Sequence, residues 1–119
     1  MGVDYTAFVC WGQRVKAKRG LVDHFENHSD VLTKHRVTYA EYGDRQYGGN
    51  GGYILMAEDT YTEIDMRREA CAKPLPKDRD WCQVGAVHRI QEVVHELRAH
   101  GADIEPEGDY GWLVCGHVC

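Results

Sequence analysis

Residues 37–64, VTYAEYGDRQYGGNGGYILMAEDTYTEI, decide how this chain reads as a fold. Val37-Thr38-Tyr39-Ala40-Glu41-Tyr42 is rich in β-branched and aromatic residues and predicts a strand. Gly43 to Gly52 follows with five glycines, Asp44 and Asn50, a composition suited to a turn or mobile loop. Tyr53-Ile54-Leu55-Met56-Ala57 resumes the strand pattern, with a continuation through Tyr61-Thr62-Glu63-Ile64 after a bend at Glu58-Asp59.

Upstream, residues 4–15 alternate, placing Tyr5, Ala7, Val9 and Trp11 on one face and Thr6, Phe8, Cys10 and Gly12 on the other. The first set is the expected core face. From Lys18 the apolar positions Leu21, Phe25, His28 and Leu32 recur at helical spacing, with a possible break at Ser29-Asp30. Downstream, Pro74 and Pro76 exclude a continuous helix, because proline lacks the amide donor and constrains the residue before it. A long helix then starts at an Asp78 or Asp80 cap and ends at Gly101, with an apolar stripe of Val84, Ala86, Val87, Ile90, Val93, Val94 and Leu97. Residues 109–118 close the chain as a strand, with Trp112, Val114 and Val118 expected to face the helices.

The resulting β-α-β-β-α-β order predicts an α+β fold of the ferredoxin-like plait type. That fold places two helices on one face of a four-stranded antiparallel sheet. With 119 residues the chain fits one domain, and 43% apolar with 28% charged residues is ordinary for a globular protein. The N-terminus lacks the pattern of a signal peptide and no apolar run approaches bilayer length, so the expected compartment is the cytoplasm. Five cysteines without an export signal read as reduced thiols.

The net charge of −5, from 19 acids against 14 bases, disfavours a nucleic-acid binder, whose phosphate contacts need a basic face. It permits a basic protein partner. The acids expected to meet that partner are Glu58, Asp59, Glu63, Asp65, Asp103, Glu105, Glu107 and Asp109, alongside Tyr47 and Tyr53 of the tyrosine-rich loop region. Exposure of Phe8, Leu55 and Leu113 on the open sheet face would also suit a homodimer.

Cys115-Gly116-His117-Val118-Cys119 is the sharpest chemical pattern, since residues two apart in a strand share a side. With Cys10 on the neighbouring first strand it offers a soft, tetrahedral zinc set, the alternative to an expectation of no cofactor. Idle or buried thiols are the plainer reading, because zinc usually draws paired ligands from tight knuckles. Cys71 and Cys82 lack knuckle spacing. Cys115 with His117 has no third member to orient a nucleophile, and His88, His95 and His100 read as helix-surface residues. The glycine loop lacks a P-loop ending, and Phe8, Tyr53 and Leu55 supply only part of an RNA-stacking platform. No catalytic group emerges.

The opening Met1-Gly2-Val3-Asp4-Tyr5-Thr6-Ala7 resembles the start of small phage or prophage accessory proteins. That resemblance implies a class that includes anti-CRISPR inhibitors. Such proteins are small and usually non-enzymatic, and they act by covering a surface of a host protein complex.

Overall fold

The computed structural model describes residues 5–43, 51–64 and 83–118. Strand β1 (Tyr5–Val15) is the centre of a five-stranded sheet that also holds β2 (Val37–Gly43), β3 (Gly51–Ala57), β4 (Thr62–Ile64) and β5 (Pro106–Val118). Three helices complete the fold: α1 (Leu21–Asn27), α2 (Ser29–Lys34) and α3 (Gln83–Ala99). The class is α+β, as the sequence predicts.

One flank of β1 pairs with β5, from Tyr5↔Val118 to Val15↔Pro106. The other pairs first with β3, Gly12↔Met56 to Val15↔Tyr53, and then with β4, Ala7↔Ile64 to Val9↔Thr62. β2 lies outside β3, from Val37↔Ala57 to Gly43↔Gly51. These ladders are all antiparallel, and one parallel pair, Gly43↔His117, joins β2 to β5.

Five strands stand where four were expected, because β3 and β4 run along the same flank of β1 and are separated by a 3-10 turn at Glu58–Thr60. The bend falls where Glu58-Asp59 predicts it. It interrupts the ladder beside Trp11, and a side chain repairs the loss. The Trp11 amide donates to Thr60 Oγ1 at 2.9 Å, and the same hydroxyl donates to the Ala57 carbonyl at 2.7 Å. Thr60 is 1% exposed, so water cannot readily replace it. Thr60→Val should therefore cost about 2 kcal/mol by leaving a buried donor and acceptor unmet, and Thr60→Ser should recover most of it. Urea denaturation checks this, and a Thr60→Val protein as stable as the parent would remove the hydroxyl from the account.

The first helical segment divides at His28, whose φ of −118° leaves the helical region, giving α1 and α2 in place of one helix. α3 ends in a Schellman arrangement. The Gly101 amide donates to the Arg98 carbonyl and the Ala102 amide to the Leu97 carbonyl, with Gly101 at φ +92°. A second irregularity lies between β1 and β5, where Gly12 faces Gly111 but Arg14 faces Glu107. The extra β5 residues sit opposite Gln13, whose side-chain amide donates to the Gly108 carbonyl at 2.8 Å.

The sheet buries side chains on both faces. Toward the helices, Trp11, Val15, Val37, Tyr53 and Leu55 pack with Leu21, Phe25, Leu32, Ile90, Val93 and Leu97. On the reverse face, Phe8, Cys10, Ile54 and Met56 form a second cluster, joined by Ala40, Tyr42, Leu113 and Cys115. Several expectations fail here. Phe8 and Cys10 are buried rather than open, because the reverse face has its own apolar packing. Leu55 and Tyr53 belong to the helix-facing core, opposite Phe8, so neither the stacking platform nor the proposed apolar dimer patch exists as drawn. Val114 is 79% exposed, since the helix-facing core reaches Tyr110 and Trp112 on that side of β5 but not Val114. Val84 is 77% exposed, at the first turn of α3.

Candidate functional site

Acidic residues are abundant in this chain, so a site is distinguished by which of them lack an internal cation. Lys18 reaches Glu105 at 3.0 Å and Asp103 at 3.6 Å, and Lys16 reaches Glu105 at 3.1 Å. Hydrogen bonds from Lys18 and then Lys16 hold the Glu105 carboxyl below its ordinary range. Lys16 and Lys18, just after β1, are thus taken up by the acids of the segment before β5. Lys34 and His35 engage Glu96 at 3.0 and 2.5 Å, and their hydrogen bonds hold its carboxyl below the ordinary range in the same way.

Asp59 is also committed. It meets Arg89 at 3.0 Å, with both side chains largely buried. Of the remaining acids predicted to face a partner, Glu58, Glu63, Glu107 and Asp109 are exposed, while Asp65 and Tyr47 lie outside the described residues. Tyr53 is 5% exposed and packs edge-on against Phe25 at 5.9 Å, so it is a core residue rather than a contact residue.

Glu58 borders a cleft of about 350 Å³ between the α1–α2 segment and β2. Leu32, Val37 and Phe25 form its apolar base, and Tyr39 packs at a tilt against Phe25 with ring centroids 4.7 Å apart. Ser29, Thr33 and Thr38 add hydroxyls, and Glu26 supplies a second carboxylate. Partial burial, followed by the charge and hydrogen bond of Glu26, keeps Tyr39 protonated beyond the usual phenol range. Among the described residues, neither Glu26 nor Glu58 has a Lys or Arg partner in an ion pair.

The helical spacing of α1 and the strand alternation of β2 bring these groups together. Phe25 is buried against the sheet, while Glu26 beside it and Ser29 at the start of α2 are exposed and sit on the rim. Glu26 was not identifiable from sequence as a site residue, since nothing along the chain links it to Glu58.

The predicted thiol set is partly assembled. Phe8 faces Cys115 and Cys10 faces Leu113 across the β1–β5 ladder, which puts Cys10 and Cys115 on one face as diagonal neighbours. Their side chains hydrogen-bond, with Cys10 buried and Cys115 half-buried. The bond to Cys115, reinforced by burial, raises the Cys10 thiol far above the usual range. The same bond lowers Cys115, against some desolvation and with help from the Arg14 charge. His117 lies in β5 two residues beyond Cys115, and Cys119 lies outside the described residues. Among the described residues no group of three or more His, Cys, Asp or Glu side chains is arranged to hold a metal ion.

Three histidines distant in sequence or split by the α1–α2 break form a ladder that no sequence spacing signals. His28 stacks against His100 at 4.3 Å and against His24 at 6.3 Å, in near-parallel planes. Comparison with known proteins finds no family model, no curated protein and no solved structure that matches this chain.

Proposed function

We propose that this chain is a small protein-interaction module that docks a basic segment of its partner in the Glu26/Glu58 cleft. The observation that carries this reading is the contrast between acids. Asp59, Glu96, Asp103 and Glu105 are neutralised from within, whereas Glu26 and Glu58 flank an aromatic, hydroxyl-lined cleft without a cation partner among the described residues. An arginine side chain fits that chemistry best. Its planar guanidinium stacks on Tyr39 while its fork of donors meets the carboxylates. A compact ammonium would satisfy the charge but not the stacking.

The N-terminal resemblance to small phage accessory proteins implies a host protein complex as the partner and occlusion, anti-CRISPR-like, as the mode of action. In that reading the module acts in the cytoplasm and performs no chemistry. The pairing β5–β1–β3–β2 supports reading the scaffold as a ferredoxin-like plait whose third strand is broken by the Glu58–Thr60 turn.

An amide NMR titration with a short arginine-rich peptide tests the docking site. Saturable shifts are expected at Phe25, Ser29, Thr33 and Tyr39, weakening as salt is added. Glu26→Gln with Glu58→Gln should raise the dissociation constant at least about tenfold, the equivalent of 1.4 kcal/mol. Shifts that do not saturate, or an affinity indifferent to both substitutions, would overturn the reading.

A further inference from the structure

The thiol pair on the reverse face of the sheet plays no part in the cleft, and its placement is unusual for idle cysteines. Cys10 lies in the middle of β1 with no exposed surface, enclosed by Phe8, Ile54 and Met56. Cys115 sits at the rim of the same cluster and retains access to solvent. Strand register fixes the two on one face of adjacent antiparallel strands, as diagonal neighbours within one side-chain cluster. One sulfur is therefore reachable by a small reagent, and the other is held beside it, shielded from that reagent.

We propose that Cys115 and Cys10 form an oxidisable dithiol, in which Cys115 reacts with a hydroperoxide and Cys10 resolves the product to a disulfide. The groups differ in the sense this division of labour requires. Cys115 is the member favoured as thiolate, by the hydrogen bond from Cys10 and the positive charge of Arg14, and thiolate is the reactive form. Cys10 is the member kept protonated.

In the first step the Cys115 sulfur attacks one peroxide oxygen. An S–O bond forms, the O–O bond breaks, and the alcohol or water departs with a proton, leaving a sulfenic acid. In the second step the Cys10 sulfur attacks the Cys115 sulfur. The S–S bond forms as the S–O bond breaks, and the departing hydroxide takes the Cys10 proton to become water. The two sulfurs together lose two electrons and the peroxide gains them. Each turnover thus converts two thiols and one hydroperoxide into a disulfide, an alcohol or water, and a further water. The bond would tie β1 to β5, two strands far apart in sequence, and thiol reductants would release it.

Peptide mapping of the intact protein tests this, after one equivalent of hydrogen peroxide and alkylation of the remaining thiols. The expected product is a cross-linked pair of peptides carrying Cys10 and Cys115, lighter by two hydrogens than the reduced pair and separated by dithiothreitol. Cys10→Ala should instead leave Cys115 as a sulfenic acid that dimedone captures. Cys115→Ser should leave Cys10 reduced. Iodoacetamide at neutral pH should label Cys115 at least about tenfold faster than Cys10 in the untreated protein, a measurement that needs no substitution. Recovery of Cys115 as a free thiol while other cysteines oxidise would overturn the proposal. So would its capture in a disulfide with Cys71, Cys82 or Cys119.

Discussion

Gly12→Ala should destabilise the protein by about 4 kcal/mol, a large share of what holds a domain of this size together. A Cβ at Gly12 would stand 2.1 Å from the Leu55 carbonyl oxygen and 2.7 Å from the Met56 Cα. Both are backbone atoms of β3, so no rotamer change makes room, and the methyl must push two paired strands apart. The strands concerned are the ones that join the β2–β3 hairpin to the rest of the sheet, through Gly12↔Met56 to Val15↔Tyr53. Separating them would also disturb Leu55 and Met56, both fully buried but in different clusters, one on each face of the sheet.

The cross-strand partner of Gly12 provides the control. Gly111 faces Gly12 across the β1–β5 ladder, yet a Cβ there meets nothing within 4 Å. Gly111→Ala should change stability by no more than about 0.5 kcal/mol. Both substitutions add one methyl to a strand glycine, so general effects of replacing glycine in a strand are common to them. Urea denaturation followed by circular dichroism separates the cases. Equal stabilities for the two variants would mean that β1 and β3 do not approach each other as closely as described.

The contrast between these glycines marks the limit of what the sequence discloses. Alternation along residues 4–15 correctly separates Trp11 from Phe8 and Cys10, because a strand has a period of two whatever packs against it. The four- and three-residue recurrence of Leu21, Phe25 and Leu32 likewise survives the break at His28, since all three reach the same core. The glycine stop at Gly101 follows from local backbone geometry and was equally legible. What alternation cannot say is whether a face is covered. Alternation puts Phe8 and Cys10 on the face opposite the helices, and there the sheet carries a second apolar cluster, assembled from four strands. The site met the same obstacle. Glu58 and Asp59 are adjacent acids of one apparent patch, and only the position of Arg89, thirty residues away, tells them apart.

That distinction yields the second large effect. Arg89 on α3 donates to Asp59 Oδ1 at 3.0 Å and to the His35 carbonyl at 2.9 Å, and its Nη2 also meets the Arg36 carbonyl. Arg36 holds φ at +52°, a left-handed backbone that a non-glycine residue adopts at some cost, and its carbonyl additionally accepts the Glu58 amide. One guanidinium thus fixes the α2–β2 turn, the start of the 3-10 turn and α3 to one another. Arg89→Met preserves much of the side-chain bulk but leaves Asp59, only 18% exposed, with no counter-charge, and should cost about 3 kcal/mol. Asp59→Asn in the Arg89→Met background should recover part of that loss, because it removes the stranded charge. The resulting coupling between the two sites is expected at about 1–2 kcal/mol by a double-mutant cycle in urea. Glu58→Gln, one residue away, should leave stability within about 0.5 kcal/mol while weakening the arginine-rich peptide. If Glu58→Gln instead destabilised the fold as Arg89→Met does, the cleft carboxylate would be part of the scaffold, and the case for a docking site at Glu58 would fall with it.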